Sequence, residues 1–297
     1  MRGGIVLVGG AMVDVRAAAT SGSLVPGRSV PGKARLLPGG AARNVAVNLV
    51  RLGHRVTLLT AVGDDPLGRW LVDDAACRGV GTDGILFRPQ PTGLFVTVGA
   101  GIDAAWCVAD AGPVESLRPA DLEPWRQAVA TAGVLVHDAN LYEDAQAALL
   151  TMAGGVPRIL LATSPDKAVR LRPSLNGAAV VVCNQDEACV LAGMTGAPDW
   201  QVLGAALVAG GAGCVVITQG EGGVGVMTPF AAAFEPAARV SVVDPTGAGD
   251  AVASAAVHGY LAGMSPAQTA RLAASAAACV VQSPENTPAA LGAVPHA

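Results

Sequence analysis

Charged and aromatic side chains are scarce in this sequence of 297 residues, at 14% and 3% of the total. Asp and Glu (23) outnumber Lys and Arg (19), which gives a formal net charge of −4. This balance argues against nucleic acid or an anionic membrane as the main partner. The few aromatic residues also argue against a stacking platform for single-stranded nucleic acid. Hydrophobic residues make up 52%, which excludes a disordered chain and predicts a large core built from Ala, Val and Leu.

The sequence also lacks an unbroken run of about 20 apolar residues of the kind that spans a membrane. Two uncharged stretches, residues 202–220 and 251–270, are interrupted by glycine or proline. Residues 5–13 imitate the apolar part of a signal peptide, but they are short and glycine-rich, so we interpret them as a first buried strand. The six cysteines form no C-x-x-C pair, which argues against zinc. Most of them lie in apolar runs, which is typical of small core residues in a reducing compartment and predicts a cytoplasmic location.

Short apolar runs alternate with amphipathic stretches along the chain. The runs predict buried strands over residues 5–8, 56–59, 134–136, 159–162, 179–183 and 214–218. The stretches between them predict helices over residues 43–52, 66–78, 119–130, 143–153, 185–191, 200–209, 247–261 and 266–281. Strands that are apolar on both faces and alternate with helices are typical of a parallel sheet covered on two sides. The expected fold class is therefore α/β, doubly wound.

Two early segments interrupt this alternation. Residues 16–37 are rich in Gly, Ser and Pro and end in a strand-like stretch, and residues 93–99 and 105–110 are typical of a hairpin. Together they predict a small β flap beside the main sheet, although two ordinary surface insertions would have the same pattern.

The segment with the clearest chemistry runs Asp244-Pro245-Thr246-Gly247-Ala248-Gly249-Asp250 and leads from a predicted strand into a predicted helix. The first amides of a helix have no internal partners, and glycines let these amides approach an anion closely. Residues 247–249 can therefore form an anion hole. A carboxylate at position 250 would repel a phosphate unless it accepts a proton from an attacking hydroxyl. The alternative is a tight turn in which this carboxylate only complements the helix dipole.

Two further glycine-rich segments are less specific. Residues 220–225 fit G-x-G-x-x-G after a strand, but β-like residues and a proline follow, so a dinucleotide-binding helix does not open there. This turn suits the wall of a nucleotide pocket instead. Gly39 and Gly40 precede a predicted helix in which Asn44 can offer a donor and an acceptor to a polyol, although a simple helix entry explains them equally well.

Taken together, Gly39-Gly40-Ala41-Ala42-Arg43-Asn44 and the segment 244–250 resemble the two signatures of the ribokinase-like (phosphofructokinase-B type) carbohydrate kinases. Residues 62–68 and 184–187 also resemble pieces of that family. The resemblance covers nearly the whole chain. It implies one ribokinase-like domain over residues 1–297, a three-layer α/β/α Rossmann-like sheet with a small β-sheet lid formed by residues of about 16–37 and 93–110. It also implies ATP-dependent phosphorylation of the hydroxymethyl group of a sugar or nucleoside.

The resemblance assigns expected roles to individual residues. The catalytic group is the base Asp250 with the anion hole Gly247, Ala248 and Gly249. The ATP site comprises Asn184, Thr218, Gly220 and Gly223, and Glu187 organises Mg²⁺ through water. A plain helix cap at Asn184 and Glu187 is the alternative, since the two residues fit a capping box. The substrate site comprises Asp14, at the end of the first strand, with Gly39, Gly40, Arg43, Asn44, Asp138 and Asn140.

A monovalent-cation site is also implied, because Asp244 and Thr246 lie where many family members bind K⁺. Pro245 departs from the commoner Thr, and the later ligands around Ser283 do not align, so K⁺ dependence stays open. A homodimer through the lid edge is a further expectation.

Within the family, the chain most resembles the pseudouridine kinases. The residues that carry this resemblance are Arg43, residues 136–141, residues 108–110 and residues 283–288. Pseudouridine is therefore the first-choice substrate. The alternatives are a ribokinase, an adenosine or other nucleoside kinase, or a fructokinase-like enzyme. A non-catalytic sugar or nucleotide sensor and a Rossmann oxidoreductase are alternatives of other classes.

Overall fold

The computed structural model describes residues 3–20, 24–25, 27–100 and 103–293. The strands within these ranges are β1 (Ile5–Val8), β2 (Met12–Ala19), β3 (Gly32–Gly39), β4 (Val56–Gly63), β5 (Gly81–Arg88), β6 (Leu94–Ala100), β7 (Asp103–Asp110), β8 (Val134–Asp138), β9 (Arg158–Leu161), β10 (Val180–Asn184), β11 (Val215–Thr218), β12 (Gly223–Met227) and β13 (Ala232–Pro236). The helices are α1 (Ala41–Arg51), α2 (Pro66–Cys77), α3 (Gly112–Glu115), α4 (Pro119–Leu122), α5 (Arg126–Ala130), α6 (Glu143–Ala153), α7 (Pro165–Ala168), α8 (Gln185–Ala192), α9 (Trp200–Ala209), α10 (Ala248–Ala262) and α11 (Pro266–Val281). No helix in these ranges has the length and apolarity needed to cross a membrane.

The main sheet has nine strands in the order β13-β12-β11-β10-β9-β8-β1-β4-β5. The pairs from β11 to β5 are parallel, and β12 and β13 add an antiparallel edge. Chain order reverses where β1 lies between β8 and β4. A crevice for ligands is expected at the carboxyl ends of the strands beside such a reversal.

Helices cover both faces of this sheet. Val134 and Val136 of β8 pack toward a core formed with α1, α10 and α11. Leu135, between them, packs on the opposite face against α5 and α6. This alternation follows from the strand period of two residues, and it confirms the three-layer α/β/α prediction.

A second sheet of four strands, β3-β2-β6-β7, stands beside the main one and confirms the predicted β flap. One prediction about the region around this sheet is wrong. Asp14 does not end the first strand, because β1 ends at Val8 and Asp14 lies inside β2. Glycines 9 and 10 break the apolar run between the two strands. Residues 21–23, 26, 101 and 102 of the predicted flap segments lie outside the described residues.

The prediction of one helix over residues 119–130 is also wrong. Helices α4 and α5 are separated by a 3₁₀ turn at Glu123–Trp125. Pro124 lies in this turn, where a proline lacks the N–H of an α-helical hydrogen bond and clashes with the preceding turn. Most other predicted helices and strands agree with the structure to within a few residues at each end. Strand β5, which the apolar pattern did not reveal, forms the edge of the main sheet beside β4.

Candidate active site

The amino end of α10 lies at the carboxyl edge of the main sheet, and its geometry requires glycine. Gly247 precedes the helix with φ of 90°, and a Cβ there would lie 2.7 Å from the carbonyl oxygen of Asn286. The turn before it is held by Asp244 Oδ1, which accepts a hydrogen bond from the amide of Thr246 at 2.9 Å. The first amides of α10 have no partners within the helix, so this turn presents N–H groups to an anion.

These amides border a cavity of about 270 Å³. Its wall includes Gly247, Gly249 and Asp250 from the start of α10. It also includes Asn184 and Thr218 at the ends of β10 and β11, and Glu187 in the first turn of α8. A larger cavity of about 1120 Å³ adjoins it and shares Thr218 and Gly249 with it. The structure thus brings the predicted anion hole and the predicted ATP residues together around two neighbouring cavities.

The larger cavity has the character of a nucleotide site. Gly220 and Gly223 form its turn, and a Cβ on Gly223 would lie 2.2 Å from the carbonyl oxygen of Glu235. The strand β12 follows this turn, so no dinucleotide-binding helix opens after it, in agreement with the sequence analysis. Aliphatic side chains line much of the remaining wall, namely Val224, Val240, Val242, Val252 and Val281. An apolar cleft beside a set of free amides fits a base and its phosphates.

Asp250 is partly buried in the first turn of α10. Burial raises the pKa of this carboxyl to about 7, and the nearby charges of Asp14 and Asp138 act in the same direction. A hydrogen bond from Asn44 Nδ2 to Asp250 Oδ2, at 2.8 Å, opposes this rise. A carboxyl with a pKa near neutrality can accept a proton from a hydroxyl and release it again, which is what a general base requires.

Arg43 determines which way the Asn44 amide faces. Arg43 Nη1 donates to Asn44 Oδ1 at 2.9 Å, and its Nη2 pairs with Asp74 of α2. A guanidinium can only donate, so it binds the amide oxygen and leaves the amide nitrogen to face Asp250. Arg43 is fully buried, and burial lowers its pKa to about 9, so it stays cationic at neutral pH. The structure therefore brings Arg43 and Asn44 to the carboxyl of Asp250.

Asp14 lies in β2, next to the glycine turn at Gly39 and Gly40 that precedes α1. A Cβ on Gly39 would lie 2.1 Å from Asp14 Oδ1, and Gly40 has φ of 92°, so both positions require glycine. Asn286 Nδ2 donates to Asp14 Oδ2 at 2.6 Å. Burial raises the pKa of Asp14 to about 6, although the Arg16 guanidinium opposes the rise. Asp14, Gly39, Gly40 and Asn44 thus meet on one side of Asp250.

Asp138 and Asn140 make internal hydrogen bonds at the end of β8. Asp138 Oδ2 accepts from the amide of Gly10 at 2.8 Å, and its Oδ1 accepts from the amide of Asn140 at 2.9 Å. Asn140 Oδ1 accepts from Lys167 Nζ at 2.8 Å. Both side chains are buried, and burial raises the pKa of Asp138. They hold the β1–β2 turn, and in the described part of the chain neither side chain lines either of the two cavities above.

The interpretation of Asn184 and Glu187 as a helix cap is confirmed. Asn184 Oδ1 accepts from the amide of Glu187 at 2.8 Å, and Glu187 Oε2 accepts from the amide of Asn184 at 2.8 Å. Both residues also line the smaller cavity. Burial raises the pKa of Glu187, and a cation near its carboxylate would stabilise the ionised form.

Three polar residues at the site were not assigned roles individually from the sequence. Arg16 of β2 bonds Asp244 and Asn286, and Arg35 of β3 bonds Asp244 at 2.7 Å. These contacts join positions more than 200 residues apart in sequence, so no local motif signals them. The sequence offers one signal of these contacts, namely that Arg16 and Arg35 lie on two strands that pair in the smaller sheet.

Comparisons with known proteins agree with this geometry. The model of the pfkB family of carbohydrate kinases matches residues 3–290. The pseudouridine kinase of Escherichia coli (strain K12) is 30% identical over 275 residues, which cover 91% of this chain and 87% of that protein. A carbohydrate kinase from Agrobacterium tumefaciens has a structure with a TM-score of 0.80 and 30% identity, covering 98% of this chain and 97% of that one. The Arabidopsis thaliana ribokinase complexed with ribose and ATP has a TM-score of 0.79 at 22% identity, covering 97% and 96%.

The chain belongs to the pfkB family of carbohydrate kinases. It is a phosphotransferase that uses ATP and acts on a hydroxyl group of a sugar or nucleoside. The ribokinase-like fold that the sequence motifs implied is confirmed.

Proposed function

We propose that this kinase phosphorylates the ribose 5′-hydroxyl of pseudouridine. The substrate is suggested by the pseudouridine kinase of Escherichia coli, which shares 30% identity over 91% of this chain. The reaction is supported above all by one observation, the position of the Asp250 carboxyl at the head of the free amides of α10, beside the cavity that adjoins the nucleotide cleft.

In the proposed mechanism, the acceptor hydroxyl lies between Asp250 and the terminal phosphate of ATP. Asp250 accepts the hydroxyl proton while the oxygen attacks phosphorus in line and ADP leaves. The amides of residues 247–249 donate hydrogen bonds to the charge that develops on the transferred group. Asn44 holds the carboxylate by its 2.8 Å hydrogen bond throughout the approach of the substrate.

The smaller cavity also fits the magnesium that accompanies ATP. The residue that would hold it is Glu187, a buried carboxylate on the wall with one oxygen engaged by the amide of Asn184. Magnesium would neutralise phosphate charge there, bound through water. Thr218 and Gly220 would contact the nucleotide from the end of β11.

The sugar end of the substrate is assigned to Asp14 and its neighbours. The Asp14 carboxylate can accept hydrogen bonds from vicinal hydroxyls, and the close approach of Gly39 leaves no side chain above it. Arg43, Asp138 and Asn140 would act from behind this surface by fixing Asn44 and the β1–β2 turn. The smaller sheet would serve as a lid that excludes water during transfer.

We also propose that two copies pair through this lid and that the enzyme works in the cytoplasm. Trp106 and Val108 of β7 expose 55% and 65% of their surface, and Leu36 of β3 exposes 48%. These strands form the two edges of the smaller sheet, where unpaired backbone groups favour strand addition. The six cysteines are free thiols, as a reducing compartment requires.

A panel assay tests the substrate. ADP release is measured with pseudouridine, uridine, adenosine, ribose and fructose at equal concentrations, and the D250N variant serves as the matched control. We expect pseudouridine to have the highest kcat/KM. Faster turnover of ribose or adenosine would replace pseudouridine as the substrate. Stabilisation by a ligand with no ADP release would instead indicate a non-catalytic sensor.

A further inference from the structure

A buried guanidinium lies behind the anion hole. Arg16 is 9% exposed, its Nη1 pairs with Asp244 Oδ2, and its Nη2 donates to Asn286 Oδ1. The same Nη2 lies 3.5 Å from Asp14 Oδ2. Arg16, a side chain of the smaller sheet, therefore joins the Asp14 carboxylate, the turn before α10 and the segment around residue 286.

Asp244 has little capacity left for another cation. Its Oδ1 accepts from the amide of Thr246 at 2.9 Å, and its Oδ2 is shared by Arg16 and by Arg35, whose Nη2 lies at 2.7 Å. An alkali cation needs oxygen lone pairs directed at it, whereas these oxygens face N–H donors. A third positive charge beside two guanidinium groups would also be repelled. The carboxylate of Asp244 therefore does not fit the monovalent cation that the family resemblance implied.

We propose that the Arg16 guanidinium takes the place of that cation and makes phosphoryl transfer independent of K⁺. Arg16 is a positioning residue in this proposal. It holds Asp244, and the Asp244 turn in turn sets the direction of the amides that begin at Gly247. The planar fork of a guanidinium can bond two oxygens at once, which a lysine ammonium cannot do with the same geometry. This inference rests on the proposed kinase function but not on the identity of the acceptor.

The activity test compares cations at constant ionic strength. ADP release with the best acceptor of the panel is measured in the chlorides of potassium, sodium and tetramethylammonium. We expect the rates of the parent enzyme in the three salts to agree within roughly twofold, because the Arg16 guanidinium already supplies the positive charge at this position. Activation of the parent by K⁺ of more than about fivefold over tetramethylammonium would overturn the proposal, since one free cation site would then control transfer.

The R16M variant tests the residue itself. In tetramethylammonium chloride we expect R16M to lose roughly tenfold or more in kcat, since the anion-hole turn has lost its anchor. Added K⁺ or millimolar guanidinium chloride should restore part of this loss, because Asp244 and Asn286 then face an open space with oxygen acceptors. The R271M variant is the control, because Arg271 is an exposed arginine of α11 that lines neither cavity, and it should keep the parent rate. An R16M enzyme with the parent rate, or with a loss that neither cation restores, would overturn the proposal.

A second readout needs no acceptor and separates this inference from the substrate proposal. Thermal unfolding is followed in potassium and in tetramethylammonium chloride. We expect one midpoint for the parent in both salts and a higher midpoint in K⁺ for R16M, because an ion that binds only the folded state stabilises it. A K⁺-specific rise in the parent would overturn the proposal. If no acceptor in the panel is phosphorylated, the substrate proposal fails, and these midpoints still decide the role of Arg16.

Discussion

The protonation state of Asp250 should control the rate of this kinase across the neutral range. With a pKa of about 7, roughly 90% of the carboxyl is ionised at pH 8 and roughly 10% at pH 6. Only the ionised form can accept the hydroxyl proton, so kcat/KM should fall by about tenfold from pH 8 to pH 6. A carboxyl with its ordinary pKa of 3.8 would produce no change in this range.

The N44A variant tests whether this fall in kcat/KM toward low pH, the acid limb of the profile, reports the titration of Asp250. The hydrogen bond from Asn44 lowers the pKa of Asp250, so its removal should move the limb to higher pH. The N286A variant is the matched control, because it removes an equivalent hydrogen bond from Asp14 instead. Its effect on the pKa of Asp14, which is about 6, should leave the limb near pH 7 in place.

The assay varies the acceptor at saturating ATP and excess magnesium, because terminal phosphates also titrate near pH 6. Under these conditions kcat/KM for the acceptor reports groups of the nucleotide-bound enzyme. A flat profile between pH 6 and pH 8, with chemistry shown to be rate-limiting, would refute the assignment of Asp250 as the base. A limb that moves in N286A but not in N44A would assign it to Asp14.

Three further outcomes are expected. The D250N variant should lose about 10²- to 10⁴-fold in kcat and still bind ATP. Because burial raises the pKa of Asp250, ionisation above pH 7 costs folding free energy, so D250N should unfold at a higher temperature than the parent at pH 8. This gain, about 4 kcal/mol at most, should vanish below pH 4, where the carboxyl is protonated in both states; equal gains at both pH values would contradict it. The G247A variant should lower the unfolding midpoint by roughly 2 °C or more and abolish most activity, since its Cβ would lie 2.7 Å from the Asn286 carbonyl oxygen, and a near-normal rate would show that this turn is unimportant. The V108D variant should sediment as a monomer where the parent sediments as a dimer, whereas a dimer in both would exclude the lid interface.

The main sheet could be predicted from the sequence because its strands are apolar on both faces. Residues 134–136 form an unbroken apolar run, in which Val134 and Val136 face one helical layer and Leu135 faces the other. Strand β2 is different, since it belongs to a thinner sheet and carries Asp14 and Arg16 among its small residues. Its period gives no clear signal, so the sequence pattern predicted Asp14 at the end of the first strand and not inside a second one.

The catalytic end of the site could be predicted because it is contiguous. The turn from Asp244 to Asp250 contains the anion hole and the base within seven residues, so one motif fixes them all. The contacts of Arg16 with Asp244 and Asn286 depend on tertiary structure alone. Likewise, the hydrogen bonds of Arg43 to Asn44 and to Asp74 of α2 depend on tertiary structure, and the sequence offers no signal of them.

The segment around Asn286 completes the site late in synthesis. Its backbone carbonyl abuts Gly247, and its side chain joins Asp14 to Arg16. A nascent chain that has emerged only as far as α11 already contains the main sheet, the base and the nucleotide cleft. Such a chain lacks the Asn286 amide that bonds both Asp14 and Arg16, so the enzyme should become fully active only after residue 286 has left the ribosome and docked. A protease that cuts between the exposed residues Pro284 and Glu285 should likewise lower the activity, because the cut frees the segment that carries Asn286.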